Sequence, residues 1–274
     1  MTRWIHEMKW PEVAEYLKSN DTVLIPVGST EQHGPHLPLM TDGAEAIDVA
    51  QAAAEQTGVL ITPPLWFGWT PHHMGFPGTI ALGAETLSKV LEDISYSLLY
   101  HGFKKLIVIN GHRSANLPPL MLAQARIRNR TNCYMVIVDI QLVARREIGE
   151  ICDGEIGAVG HACEIETSHM LYTHPDLVDM TKAIAQVEDH DPKYAGSFIV
   201  SNPYLADWDM IGTKPTPDEF RMKAWPVGNT GDPTRASKDK GRRIFQAIVQ
   251  NTVEIIEKTK KRDVLVLKPV EPPV

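Results

Sequence analysis

Cysteine is scarce: Cys133, Cys152 and Cys163 are the only three in 274 residues, and no two of them form a Cys-x-x-Cys pair. An odd count without that spacing argues against a disulfide framework and makes a reducing compartment the default. Long apolar runs are also missing. No stretch approaches the roughly 20 apolar residues that a membrane helix requires. The opening residues, Met1-Thr2-Arg3-Trp4, lack the apolar core of a signal peptide. A cytoplasmic location without membrane partners is the expectation.

Positive charge is in deficit. Lys and Arg number 27 against 34 Asp and Glu, a formal net charge of -7. Neutralising nucleic-acid phosphates takes clustered cations, so a nucleic-acid partner is not expected. The one basic run, from Lys258 to Arg262, closes an expected helix, where cations favour the negative end of the dipole. No Gly-x-Ser-x-Gly elbow and no glycine-rich phosphate loop are present. No repeat, low-complexity segment or long linker divides the chain, which points to one domain over residues 1–274.

What is there fits an α/β layer structure. Apolar residues make up 43% of the chain, enough for a sizeable core. Short β-branched runs at residues 22–27, 59–62, 105–110 and 134–140 read as strands buried on both faces. Helical stretches lie between or after them, at 44–56, 84–100, 118–130 and about 237–260. The last carries Ile244, Ala247, Ile248, Val253 and Ile256 on one face. Alternation of this kind predicts a mainly parallel sheet flanked by helices. The proline-containing tail, residues 268–274, is expected to be irregular.

Polar clusters follow the strands, and open parallel sheets bind ligands at the carboxyl ends of their strands. The richest runs from Gly28 to Asp42 and includes Glu31, Gln32, His33, Gly34, Pro35, His36 and Pro38. Glu31 and His33 are two residues apart, so in extended backbone they face the same way. Asp42 precedes the expected helix, where it suits an N-terminal cap or a carboxylate bridging two metals. Imidazoles beside carboxylates suit zinc, manganese or iron. A lone Asp before a helix, however, is more often a cap than a ligand. The density of donors among rigid prolines and glycines lifts this segment above that reading.

A second cluster, Asn110-Gly111-His112, ends a buried strand. A third, Gly160-His161-Ala162-Cys163-Glu164-Ile165-Glu166-Thr167-Ser168, opens a helix. Acidic residues there are also explained by the helix dipole. Trp66, Trp69, His72 and His73 lie on an aromatic loop that offers apolar walls and hydrogen bonds to a substrate; the competing reading is plain core.

Thr30-Glu31-Gln32-His33-Gly34-Pro35-His36-Leu37-Pro38, Thr41-Asp42, Asn110-Gly111-His112 and His161-Ala162-x-Glu164-x-Glu166-Thr167-Ser168 together resemble the creatininase (creatinine amidohydrolase) family. Phe76-Pro77-Gly78-Thr79 and the run from Gly231 to Ser237 add two matches, and the resemblance covers about residues 24–241. It implies a homo-oligomer, often a hexamer, with two divalent ions per chain, zinc or manganese and with iron admissible. It places Glu31, His33, Asp42 and His112 on ligand positions, with Asp42 bridging, and His161 on a catalytic histidine. Where creatininase has a further glutamate ligand after Asn-Gly-His, this chain has Ser114. Glu164 is expected to supply that ligand, with Glu166 the second choice and otherwise catalytic.

The expected activity is hydrolysis of a small cyclic substrate by metal-activated water, with His161 moving the proton. C–N cleavage of a cyclic amide or formamide comes first. C–C cleavage of a cyclic diketone derived from inositol, a 3-dehydro-scyllo-inosose type of substrate, is the alternative. A non-catalytic metal-binding protein of the same fold is the reading from another class.

Overall fold

The β-branched runs form strands β1 (Thr22–Val27), β2 (Leu60–Ile61), β3 (Lys105–Asn110) and β4 (Tyr134–Asp139). They make one sheet of order β2-β1-β3-β4, parallel throughout. β1 and β3 run in register from Thr22 opposite Lys105 to Val27 opposite Asn110, so both strands end level. The computed structural model describes residues 2–154, 158–187, 216–224, 227–267 and 270–273, without the side chains of Ser114 and Lys223. The departure from creatininase at Ser114 thus concerns a side chain outside the described residues.

Alternation along the strands splits the core in two. Leu24, Ile107, Ile109 and Val138 face α2 (Thr41–Thr57) and the long C-terminal helix, α8 (Lys238–Lys260), meeting Val49, Ala53, Ile244 and Ile248. Val23, Ile25, Leu106 and Val108 face α3 (Ala84–His101) and α4 (Arg113–Thr131), meeting Leu87, Leu91, Leu120 and Ile127. All these side chains are buried. Shorter helices complete the chain: α1 (Trp10–Tyr16), α5 (Arg145–Ile151), α6 (Glu164–Thr173) and α7 (Pro217–Ala224).

Pro26 stands in central strand β1, where a missing N–H ordinarily breaks a ladder. Its carbonyl accepts from Leu65 N at 2.9 Å, and the carbonyl of Leu24 accepts from Thr62 N. The Pro26 nitrogen therefore faces the β2 side, beyond the point where β2 has ended.

Two helix starts differ from expectation. α4 begins at Arg113, not at Pro118, so Pro118 and Pro119 lie inside it. Proline cannot donate to the carbonyl four residues earlier. At the helix start, Asn110 Nδ2 donates to the carbonyls of His112 and Arg113 at 3.3 and 3.1 Å. α2 starts at Thr41, with Met40 as its cap. Asp42 thus sits within the first turn, and its carboxylate is free for other work. Beyond α8, residues 262–267 and 270–273 carry no regular structure; residues 268–269 and 274 of the expected tail lie outside the described residues.

Candidate metal centre

Two strand-end loops and the first turn of α2 deliver the donors. Glu31 and His33 follow β1, His112 follows β3, and Asp42 enters from α2; all four are buried. Gly111 makes this approach fit. A Cβ there would lie 2.1 Å from the carbonyl oxygen of Asp42, so only glycine lets β3 end against the first turn of α2.

Asp42 sits between two imidazoles. Its Oδ1 is 3.2 Å from His33 Nε2, and its Oδ2 is 2.9 Å from His112 Nδ1. His112 Nε2 is 3.3 Å from Glu31 Oε2. On the other side, His161 Nδ1 is 3.6 Å from Glu31 Oε1. Donor atoms of Glu31, Asp42 and His112 fall within 4.8 Å of one another, as do those of His33, His161 and Glu166, and of Glu31, His73 and His161.

Tautomers follow from fixed acceptors. The carbonyl of Glu31 can only accept, so His33 Nδ1 carries the proton and donates across 3.1 Å. Nε2 then faces Asp42 Oδ1 across 3.2 Å. His161 Nε2 likewise donates to the carbonyl of Gln32, leaving the Nδ1 lone pair toward Glu31. Gln32 Nε2 donates to the carbonyl of Gly228 at 2.7 Å and to His73 Nδ1 at 2.9 Å. Neutral His73 therefore presents a protonated Nε2 to Glu31 Oε1, 3.2 Å away.

A nitrogen lone pair cannot face a carboxylate oxygen alone, so each such contact takes a proton or a metal cation between its atoms. Both oxygens of Glu31, Oδ2 of Asp42 and Nε2 of His112 are buried and make no well-aligned hydrogen bond. Buried atoms of this kind are normally satisfied. The mixed nitrogen and oxygen set fits zinc or manganese.

Without a metal, the charges favour protons at these positions. Burial pushes Glu31 up to about 7, with His112 opposing and Asp42 adding to the rise. Burial also raises Asp42, but the His33 and His112 charges outweigh it and hold the carboxyl well below the usual range. For His33 and His112 burial acts downward, yet the facing carboxylates win and lift them to about 10 and about 9. Glu45, three residues along α2 from Asp42, is buried and pushed well up by burial and by the charge of Glu166. Glu31, Asp42, Glu45 and Glu166 concentrate negative charge in one dry space, which cations would balance.

Glu164, the expected fifth ligand, is placed elsewhere. It is fully buried, and its Oε1 accepts from Lys240 Nζ, which also holds Asp153 Oδ1 at 2.8 Å. Successive helix positions differ by about 100°, so a residue two along points to the far side. Glu166 is that residue, and it joins His33 and His161. Its Oε1 accepts from Gln141 Nε2 at 3.3 Å and its Oε2 from the Ala162 amide. Ala162 has φ 53°, a left-handed value uncommon outside glycine, and this turn aims its N–H at Glu166. His161 is clamped by Thr230: its amide donates to Thr230 Oγ1, and the Thr230 amide donates to its carbonyl, both at 2.9 Å.

The aromatic loop divides. His73 is buried within the centre, whereas His72 is half-buried beside it, with ring centroids 4.1 Å apart. Trp69 packs on the α3/α4 side of the core, and its amide donates to Asn116. Trp66 is half-exposed and lies against Gly43. Among the described residues, the aromatic ring over the histidines is Phe220 instead, 4.4 Å from His73 and 6.1 Å from His161.

Glu45, Gln141 and Phe220 escaped sequence reasoning. Glu45 shares the Asp42 face of α2 at three-residue spacing, and Gln141 follows β4 at the same sheet edge, so those two had a signal. Phe220 had none.

The family model described as "Creatininase: Creatinine amidohydrolase" matches residues 6–256. The chain belongs to the creatininase family. It is 28% identical over 276 residues to the 3-dehydro-scyllo-inosose hydrolase of Thermotoga maritima, covering 94% of this chain and 84% of the relative. It is 32% identical over 244 residues to the mycofactocin precursor peptide peptidase of Mycobacterium ulcerans, covering 86% and 84%. A manganese form of creatininase superposes with a TM-score of 0.76 at 25% identity, covering 96% of this chain and all (100%) of the other. A Zn-Zn form of a creatininase variant gives 0.74 at 25% identity, covering 96% and 100%. The chain is a hydrolase of this family, with a metal-competent donor cluster at the strand ends. No helix among the described residues is long and apolar enough to cross a membrane.

Proposed function

We propose that the centre holds two divalent cations, zinc or manganese, and that the protein hydrolyses a small cyclic amide or formamide at a C–N bond. The observation that carries this reading is Asp42, whose two oxygens face two different imidazoles, the arrangement of a bridging ligand. Glu31 and His112 complete one position; His33 and Glu166 complete the other.

Such a pair, when bound, supplies a Lewis acid for a carbonyl oxygen and lowers the pKa of water. The protein's own residues do the rest. His161 is kept neutral by burial, and its Nε2–H is fixed on Gln32, so Nδ1 accepts a proton and passes it to the leaving group. Glu166, held by Ala162 and Gln141, orients the His33 side. His72 and the Phe220 ring bound the substrate space.

C–C hydrolysis of an inositol-derived cyclic diketone is the second reading, favoured by the similarity to the inosose hydrolase across 94% of the chain. Assays of zinc- and manganese-loaded protein against lactams, formamides and cyclic ketones separate these cases. Ring opening of an amide supports the first reading, and turnover confined to the diketone replaces it with the second. A protein that binds metal but turns over nothing is a non-catalytic member of the fold. Three buried free thiols support a cytoplasmic location. Exposed Leu39, Phe67, Met74 and Ile80 support assembly into a homo-oligomer.

A further inference from the structure

α7 is a short helix that buries Phe220 and Ala224 one turn apart while Asp218, Glu219, Arg221 and Met222 stay exposed. Phe220 is 7% exposed, yet it belongs to none of the apolar clusters that make the core among the described residues. Its ring instead stands edge-on to His73, His72, His161 and Phe76, with centroids at 4.4, 5.7, 6.1 and 6.4 Å and interplanar angles of 76 to 80°. A large aromatic side chain that buries itself against histidines and leaves the core alone is placed for the site.

The placement is built in at both ends of the helix. α7 rests on the 3-10 turn Pro71–Gly75, which carries His72 and His73. A Cβ on Gly75 would lie 3.0 Å from Arg221 Cβ and 3.1 Å from the Pro217 carbonyl, so glycine admits the helix at this distance. At the far end Gly228 N donates to the Ala224 carbonyl, and the Gly228 carbonyl accepts from Gln32 Nε2, the same side chain that holds His73. Helix, turn and Gln32 thus form one closed loop of contacts around Phe220.

We infer that Phe220 is the roof of the catalytic pocket, excluding water from His73 and His161 and bounding the space open to substrate. The inference rests on the proposed assignment of His161, but the shielding is a property of the chain alone and can be measured without metal or substrate. Excluding water at this point keeps the imidazole pair in a low-dielectric surrounding, where its contacts to Gln32 and Glu31 are stronger.

The test is carbethoxylation of the full-length protein by diethyl pyrocarbonate, read histidine by histidine from peptide masses. Phe220→Ala should raise the modification rates of His73 and His161 by about tenfold, the scale of a modest local opening. Buried His169 on α6 and exposed His101 on α3 should keep their rates. Phe220→Tyr, which keeps the ring, should restore protection. Unchanged rates at His73 and His161, or an equal rise at His169 that marks general loosening, would overturn the roof. In manganese-loaded protein, Phe220→Ala should also increase water-proton relaxation. If manganese does not bind at all, the metal-centre proposal fails, while the carbethoxylation result still decides the role of Phe220.

Discussion

Lys240 and Glu164 form an ion pair at the start of α6, with the glutamate side chain fully buried and the lysine side chain 17% exposed. That pair holds Glu164 on Lys240, while a donor atom of Glu166 lies with those of His33 and His161, and we propose Glu166 as the ligand. Glu166→Gln should therefore lower bound zinc or manganese, measured by elemental analysis. Glu164→Gln should keep the metal and lower stability in denaturant by about 1–3 kcal/mol, the scale of a hydrogen bond to a charged group. Loss of metal in Glu164→Gln alone would return the ligand role to Glu164.

His161 should behave as the proton-transfer residue. Burial first, and then the charge of His33, hold its pKa well below the ordinary 6.5. A base whose pKa is depressed stays neutral as pH falls through 6.5, so the acid limb of kcat/KM should lie below that value. His161→Ala should keep its metal and lose turnover by about 10² to 10⁴-fold. Near-normal turnover in that variant, with His73→Ala inactive, would move the role to His73.

Asp48 supplies a pH-dependent contribution to stability away from the centre. Its carboxylate lies 3.3 Å from His169 Nε2 and 3.0 Å from His174 Nε2. Burial raises its pKa, but the hydrogen bond and charge of His169, then the charge of His174, outweigh burial and bring it below 3.8. A carboxyl with a depressed folded pKa stabilises above its unfolded pKa and loses that contribution as pH falls through the folded value. Asp48→Asn should thus be less stable than the parent at neutral pH, by about 1–2 kcal/mol. The difference should shrink below pH 3.8. A difference that stays constant down to strongly acidic pH would contradict this.

Gly111→Ala should damage the centre through backbone alone. A methyl group 2.1 Å from the Asp42 carbonyl forces β3 and α2 apart. Thermal and denaturant unfolding should show a loss of about 3 kcal/mol or more, the range of overpacked or strained sites. Parent-like stability and metal content would show that the close approach is not required.

The strands were legible because β-branched runs buried on both faces look alike in any parallel sheet, and β1 and β3 match residue for residue. Helix starts were less so. Asp42 reads as a cap before a helix from 44, and the α4 stretch reads from Pro118 onward, whereas α2 starts at Thr41 and α4 at Arg113. α1 and α5, at seven residues each, are too short to show a clear period. In the site, Glu31, His33, Asp42, His112 and His161 could be read from motifs near the strand ends and the α6 start. The choice between Glu164 and Glu166 needed Lys240, which lies 76 residues away along the chain. His73 inside the centre and Phe220 over it depend on packing between distant segments, which spacing does not encode.

The most direct measurement is the divalent metal content of the intact protein and of Asp42→Ala, by elemental analysis after loading with zinc or manganese and removal of excess ion. Because Asp42 Oδ1 and Oδ2 face different imidazoles, the parent should hold close to two ions per chain and Asp42→Ala close to none. A parent that binds no metal, or an Asp42→Ala variant that keeps both ions, would contradict the bridged centre.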